Sequence, residues 1–168
     1  MHEHAGTHLH ANGCGAGAED VLARAERLCG ERDLQFTRLR REVLRAVAAA
    51  GRPLGAYDIA ERLSGEGRRV AAVSVYRALD FLTEHGLVHR IASRNAFVSC
   101  GHPHGEGAGL VFLICRSCGG IDETTAPAVE DELGRTLARA GFRPVSRILE
   151  VEGECGACLR RGAAGEGI

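Results

Sequence analysis

Four cysteines occur as two pairs of identical spacing, Cys115-x-x-Cys118 and Cys155-x-x-Cys158. The turn within a CxxC pair lets both sulfurs point at one ion, and two such turns complete a tetrahedron. Zinc suits four thiolates because it is redox-inert and has no d-electron preference against a tetrahedron. The pairs therefore predict a structural zinc site, whose closed shell leaves no position for a substrate.

A second group of potential ligands mixes residue types. Cys100 ends a short predicted strand and is followed by His102 and His104, while His89 lies on the strand before it. Glu123 follows the first CxxC pair. One thiolate, imidazoles and a carboxylate can also bind zinc in a tetrahedron. Each residue alone is more typical of an ordinary surface or core side chain, so this hypothesis depends on the set.

The pattern alone leaves two other functions possible for these cysteines and histidines. The paired cysteines could form a thiol redox sensor, or Cys100 with a nearby histidine could act in an enzyme. A thioredoxin-type site would place a single CxxC at the start of a helix in a parallel α/β fold, which the sequence does not indicate. The HExxH motif of zinc peptidases is not in the sequence. We expect no enzymatic activity and no small-molecule substrate.

The elements that must position these residues can be predicted from periodicity. Apolar residues recur at helical spacing in four segments, which predicts helices over residues 19–29, 37–50, 56–63 and 71–85. Thr37 is a typical N-cap for the second helix, and Gly86 is well placed to end the fourth. Two short strands are predicted over 87–92 and 96–100, joined by a turn at 93–95. Compact helices followed by a β-hairpin indicate a winged helix-turn-helix domain, with another small α+β core as the alternative.

The second half of the chain predicts a smaller strand–helix–strand piece. The apolar stretch at 110–115 is typical of a strand, and 123–142 reads as a turn followed by a helix. A last strand within 143–155 runs into a polar turn. The predicted helix carries an apolar stripe of Val129, Leu133 and Leu137. Alone, this piece would have open strand edges and exposed apolar faces, which favours a partner subunit.

Together these elements predict an α+β chain with two domains. We expect an N-terminal winged-helix DNA-binding domain at 18–100, a hinge loop at 101–108 and a zinc-stapled C-terminal α/β dimerisation domain at 109–159. The histidine-rich residues 1–17 and the residues 160–168 are expected to be flexible tails. The tail histidines could buffer zinc or bind metals only weakly.

Composition and charge limit the classes of function. Hydrophobic residues make up 45% and charged residues 26%, as in ordinary soluble proteins. No apolar run could span a bilayer and the polar N-terminus lacks a signal-peptide core, so we expect a cytoplasmic protein without a membrane partner. The net charge is −1, yet residues 18–100 carry 14 arginines against 11 acidic residues. This mildly basic half favours an acidic partner such as DNA.

Three segments together resemble the Fur family of metal-sensing repressors, and within it the zinc-responsive members. They are SVYRALDFLTEHGLVHR, FLICRSCG and ECGAC, and the similarity extends from about residue 20 to residue 158. The resemblance implies a winged helix followed by an α/β dimerisation domain. It also implies a zinc-loaded homodimer that binds palindromic double-stranded operator DNA and represses zinc-uptake genes. A family sensor of iron, manganese or nickel is the alternative.

The resemblance also implies two zinc sites per subunit. The cysteine quartet corresponds to the family's structural site, whereas His89, Cys100 and Glu123 correspond to three ligands of its regulatory site. The fourth family ligand is a histidine where this chain has Ala108. We expect His104, or alternatively His102, to replace it. A thiolate among these ligands favours zinc over ferrous iron.

DNA contacts are expected mainly from the fourth predicted helix. Tyr76 and Arg77 should lie opposite Val75 and Leu79, and Arg77 is a candidate for bidentate contact with guanine O6 and N7. The resemblance adds Tyr57. The full predicted set is Tyr57, Ser74, Tyr76, Arg77, Arg38, Arg40, Arg68 and Arg69. Its other four arginines, Arg38, Arg40, Arg68 and Arg69, are candidates for phosphate contacts. The alternative for each arginine is a solvated surface charge.

Overall fold

The computed structural model describes residues 17–65, 67–100, 110–144 and 147–163. The described residues form two compact units, 17–100 and 110–163. The hinge loop predicted at 101–108 and all but one residue of the tail predicted at 1–17 lie outside the described residues. Within the described ranges, no helix is long and apolar enough to cross a membrane.

The first unit contains four helices and a β-hairpin, as predicted. The helices are α1 (Ala18–Glu31), α2 (Arg38–Ala49), α3 (Ala56–Leu63) and α4 (Ala72–Glu84). Strands β1 (Val88–Ile91) and β2 (Ala96–Ser99) pair antiparallel. The α+β fold class is therefore confirmed.

Local signals set the ends of these elements where they were predicted. The Thr37 side chain accepts a hydrogen bond from the Arg40 backbone N–H at 3.4 Å, which caps α2. Gly86 follows α4 with a φ of +65°, a conformation that glycine adopts without a steric penalty. Asn95 turns the hairpin with a φ of +45°, where asparagine is tolerated.

One apolar core holds the first unit together. All four helices, both strands and two linker leucines contribute buried side chains to a single cluster. The backbone of Leu54 also pairs with that of Phe97 through two hydrogen bonds, 2.8 and 3.1 Å long, which tie the α2–α3 linker to β2. The hairpin that carries potential metal ligands is thus fixed to the helices.

The second unit is built on a three-stranded sheet. Its elements are β3 (Leu110–Cys115), β4 (Ile121–Thr125), α5 (Pro127–Arg139), β5 (Leu149–Gly153) and α6 (Gly156–Ala163). The strand order is β4-β3-β5, with β4 antiparallel and β5 parallel to the central β3. The sheet therefore has two open edges among the described residues.

Two predictions for this unit were wrong. Residues 123–125 belong to β4 and not to a turn: among the residues of that strand only Ile121 is buried, so its apolar alternation was too weak to detect. The flexible tail predicted at 160–168 begins inside α6, which extends to Ala163, while 164–168 lie outside the described residues.

The apolar stripe of α5 does not enter a core of this chain. The helix has no buried residue, and Val129 is 50% exposed, while Leu133 and Leu137 are half-buried. A helix with an uncovered apolar stripe favours burial against another molecule.

Candidate metal and nucleic-acid sites

Parallel pairing of β3 and β5 brings the two CxxC pairs together at the end of the sheet where both strands finish. Cys115 is the last residue of β3 and lies in register with Gly153, the last residue of β5. Both strands run in the same direction, so the chain leaves each of them at the same end. The two CxxC pairs, one after each strand, therefore lie close together in space, although residues 119–154 separate them in the chain.

Backbone hydrogen bonds hold the first CxxC turn in place and tie it to the end of β5. The N–H of Arg116 donates to the Gly153 carbonyl at 2.8 Å, and the N–H of Cys115 donates to the Gly120 carbonyl at 2.9 Å. Gly119 has a φ of +72°, so the tight turn after Cys118 requires a residue without a side chain. These contacts help to position Cys115 and Cys118 beside the end of β5.

The second CxxC pair opens α6. Cys155 directly precedes the helix and Cys158 lies in its first turn. The N-terminus of a helix carries partial positive charge, which favours thiolates there. The helix that was not predicted from the sequence thus carries one thiol of the cluster in its first turn and has the other directly before it.

The four sulfurs form one compact cluster. The sulfurs of Cys115, Cys118, Cys155 and Cys158 all lie within 4.8 Å of one another, and those of Cys118 and Cys155 are 3.9 Å apart. A zinc–sulfur bond of about 2.3 Å in a tetrahedron places the sulfurs about 3.8 Å apart. The residues present therefore fit a tetrahedral zinc ion.

The pKa values of two thiols support the same interpretation. Backbone N–H groups, first that of Cys155 at 3.3 Å and then that of Cys118, lower the pKa of the Cys115 thiol to about 6. Arg161 lowers the pKa of Cys158, but burial and the three neighbouring sulfurs outweigh it and raise that pKa to about 11. Four thiolates so close together need a cation, which a divalent metal supplies.

Arg161 is a member of this site that sequence reasoning missed. Its guanidinium donates to the Cys158 sulfur at 3.0 Å from three residues further along α6. The spacing of Cys158 and Arg161 could have indicated this contact, because residues three apart on a helix share a face. It was overlooked because this segment was predicted to be a tail.

The second predicted ligand set begins on the β-hairpin of the first unit. His89 lies on β1 opposite Val98, and the N–H of Cys100 donates to the Leu87 carbonyl at 3.0 Å just past β2. A ring nitrogen of His89 lies within 4.8 Å of the Cys100 sulfur. The hairpin therefore presents two ligand atoms side by side.

The remaining predicted ligands of this set belong to other parts of the chain. Glu123 lies on β4 of the second unit, opposite Phe112 of β3. His102 and His104 lie outside the described residues. Sequence reasoning also missed Arg24 of α1, whose guanidinium donates to the Cys100 carbonyl at 2.7 Å and so positions that residue.

The predicted recognition helix presents an exposed face. Tyr57 is 73% exposed at the start of α3, and its ring forms a T-shaped contact with Tyr76 of α4, with centroids 6.3 Å apart. Arg77 is exposed, whereas Val75 and Leu79 are buried, as predicted. Ser74 lies half-buried in the first turn of α4.

The four other predicted arginines differ in their partners. Arg38 and Arg68 both bind the Glu42 carboxylate, at 2.8 and 2.6 Å, and lower the pKa of Glu42 to about 2, with Arg68 the larger cause. Arg40 donates to the Gln35 carbonyl and stacks 3.5 Å from the Phe81 ring centroid. Arg69 is exposed and forms no ion pair with any residue in the described ranges.

Comparison with known proteins identifies the type of chain. Residues 31–152 match the ferric uptake regulator family. The chain belongs to this family.

Relatives within the ferric uptake regulator family include zinc regulators. The zinc uptake regulation protein of Escherichia coli (strain K12) is 35% identical over 141 residues, which are 84% of this chain and 82% of the relative. A solved zinc uptake regulator complexed with zinc and DNA is 34% identical, with a TM-score of 0.81 over 87% of this chain and 97% of that one. The crystal structure of holo XcZur is 40% identical, with a TM-score of 0.75 over 83% and 96%.

Proposed function

We propose that this chain is a zinc-responsive transcriptional repressor that binds palindromic operator DNA as a homodimer and represses zinc-uptake genes. The observation that carries the proposal is the similarity over most of the chain to a zinc uptake regulator complexed with zinc and DNA. The thiolate cluster supports the proposal independently, because its residues suit zinc. The protein would act in the cytoplasm and catalyse no reaction.

The quartet Cys115, Cys118, Cys155 and Cys158 would hold a structural zinc ion. When bound, the ion supplies four coordination bonds that tie the ends of β3 and β5 to α6. A closed shell of four thiolates offers no ligand position for regulation or catalysis. We therefore assign this site to the stability of the second unit.

His89 and Cys100 would contribute to a second, regulatory zinc site. The hairpin supplies only two ligand atoms, and tetrahedral zinc takes four. Glu123 and His104, or alternatively His102, are the residues we propose to complete it. Because these ligands come from separate parts of the chain, zinc binding would select one arrangement of the recognition helices out of many.

A second copy of the chain would cover the apolar stripe of α5. The helix has no buried residue, and Val151 on the edge strand β5 is 52% exposed. Exposed apolar side chains on a helix and on the edge strand of a sheet are typical of a subunit interface. A two-fold homodimer also matches a palindromic operator, since it spaces two recognition helices about one DNA turn apart.

In the DNA complex, α4 would lie in the major groove. Arg77 and Tyr57 would contact bases, with Ser74 and Tyr76 beside them, and Arg69 would contact phosphate. Arg38 and Arg68 can contact phosphate only in competition with Glu42. Arg40 already has intramolecular partners, so we expect the weakest contribution from it.

Operator binding in metal buffers tests the proposal. Fluorescence anisotropy would follow the full-length chain on the upstream region of zinc-transporter genes at buffered free Zn²⁺, Fe²⁺, Mn²⁺ or Ni²⁺. We expect tight binding only with zinc. Equal or better activation by another metal would indicate a different sensor, and loss of binding on mild oxidation with release of zinc would favour a redox sensor.

Coupling between the two ligands gives a second test. Zinc that promotes operator binding must itself bind more tightly in the presence of operator, by the same factor. Isothermal titration calorimetry with and without operator DNA measures this factor. Equal zinc affinities in the two titrations would contradict the proposed regulation.

A further inference from the structure

Val73 is an exposed aliphatic side chain on the proposed recognition helix. It is the second residue of α4 and is 59% exposed. The buried face of the helix is formed by other residues, Val75, Ala78, Leu79 and Leu82. Packing within the first unit therefore gives no reason for an aliphatic side chain at this position.

Val73 shares a helix face with residues that we propose to read DNA. Side chains three and four positions apart lie next to each other on a helix, which places Tyr76 and Arg77 beside Val73. Long helical side chains also lean toward the N-terminus, so those of Tyr76 and Arg77 extend toward the turn that holds Val73. Tyr57 adjoins this face through its ring contact with Tyr76.

The surroundings of Val73 suit a polyanion and not a protein core. The first turn of α4 contains no acidic residue, and the N-terminus of a helix carries partial positive charge. Arg69 precedes the helix, is exposed and forms no ion pair with any residue in the described ranges, whereas Arg68 is paired with Glu42. An exposed aliphatic group at the positive end of a helix, with no acidic residue in the first turn, is suited to the major groove of DNA.

We propose that Val73 contacts the C5-methyl group of a thymine in each operator half-site and so sets a base preference there. This inference rests on the proposed function. Among the groups that base pairs expose in the major groove, the thymine methyl is the apolar one. Residues at the N-terminus of a recognition helix are those that reach base edges. Val73 lies one turn of α4 before Arg77, so it would read a thymine close to the base that Arg77 reads.

Replacement of thymine by deoxyuridine tests the contact, because it removes the methyl group alone. An operator would first be selected by the zinc-loaded full-length chain from a pool of random duplexes. Each thymine would then be replaced in turn, and affinity measured for wild type and Val73→Ala. We expect a loss of about fourfold for wild type at one thymine per half-site. For Val73→Ala we expect no loss at that thymine.

Thr83→Ala is the matched control. Thr83 is an exposed β-branched residue in the last turn of the same helix, about 15 Å away along the axis. This variant should keep the wild-type loss at every thymine. Val73→Thr keeps the volume but replaces one methyl by a hydroxyl, so it should lose less affinity than wild type when that thymine is replaced. It takes the place of Val73→Ala if that variant is too unstable to measure.

The outcomes separate this inference from the proposed function. Equal losses in wild type and Val73→Ala at every thymine, or no loss at any thymine in wild type, would overturn the contact while leaving repressor function intact. If no duplex is enriched in a zinc-dependent manner, the proposed function is wrong, and the inference fails with it.

Discussion

The two units of this chain are stabilised in different ways. The first unit buries apolar side chains from all four helices and both strands in one cluster. The second has a three-stranded sheet, a helix with no buried residue, and two cysteines among its few buried side chains. Small cores often need a metal to fold, because the apolar area they bury does not offset the loss of conformational entropy. We infer that only the second unit depends on metal for its stability.

The two proposed metal sites differ in the same way. All four sulfurs of the quartet come from one unit and are held by backbone hydrogen bonds. The hairpin offers only His89 and Cys100 and needs ligands from elsewhere. A complete local site is suited to permanent structure, whereas an incomplete one is suited to regulation, since binding must bring separate segments together.

Loss of a quartet ligand should have the largest effect. Cys118→Ser should remove one zinc ion per chain and lower the melting temperature of the second unit by about 10 °C or more. Zinc analysis and hydrogen exchange measure this: amides of β3 and β5 should lose protection, while those of α2 and α4 keep it.

The Thr125→Ala variant, at an exposed position of β4, is the control and should keep the zinc content of wild type. If Cys118→Ser lowers protection equally in both units, the proposed difference in their stabilisation is wrong.

Loss of the hairpin thiolate should act on regulation and leave the fold intact. Cys100→Ser should keep the structural zinc and the melting temperature of the second unit. It should lose the zinc-dependent gain in operator affinity, about 5- to 150-fold. Anisotropy titrations at saturating zinc test this, with Ser99→Ala as the control. Unchanged zinc dependence in Cys100→Ser would contradict its assignment as a regulatory ligand.

The hydrogen bond from Arg161 should have a moderate effect confined to the quartet. Arg161→Met should weaken zinc retention by about tenfold, since groups that bind metal ligands typically tune affinity by that order. Competition with a colorimetric chelator measures the loss. Arg160→Met removes a similar charge from the same helix and should retain zinc as wild type does. Equal losses of zinc retention in both variants would show that Arg161 acts only through its charge and not through its hydrogen bond to Cys158.

The smallest expected effect concerns Glu42 in the first unit. Because Arg68 and Arg38 lower its pKa from 4.5 to about 2, its ion pairs stabilise the folded state above pH 4.5. That contribution is lost as the pH falls from 4.5 through 2. Since both arginines are partly exposed, we expect Glu42→Gln to cost only about 1 kcal/mol at pH 7.

Urea unfolding of wild type and Glu42→Gln between pH 2 and pH 7 measures the difference. The two free energies of unfolding should converge below pH 4.5. A constant difference across this range would show that the carboxylate charge is not the cause.

Sequence reasoning succeeded where the physical signal is local. The helices of the first unit follow from apolar spacing, and the caps at Thr37 and Gly86 follow from residue chemistry within one turn. It failed at β4, where one buried isoleucine cannot indicate a strand by alternation. It also failed at α6, where a glycine-rich, arginine-rich segment resembles a frayed terminus.

The sequence by itself determined the two CxxC pairs, the winged-helix layout and the residue types that can bind zinc, because each is carried by spacing along the chain. Only the tertiary structure decided what those residues meet. Parallel pairing of β3 with β5 brings the two CxxC pairs together, Arg24 binds the Cys100 carbonyl, and Glu42 binds Arg68. Such contacts join residues distant in sequence, so only the folded backbone can bring their donor and acceptor atoms within bonding distance.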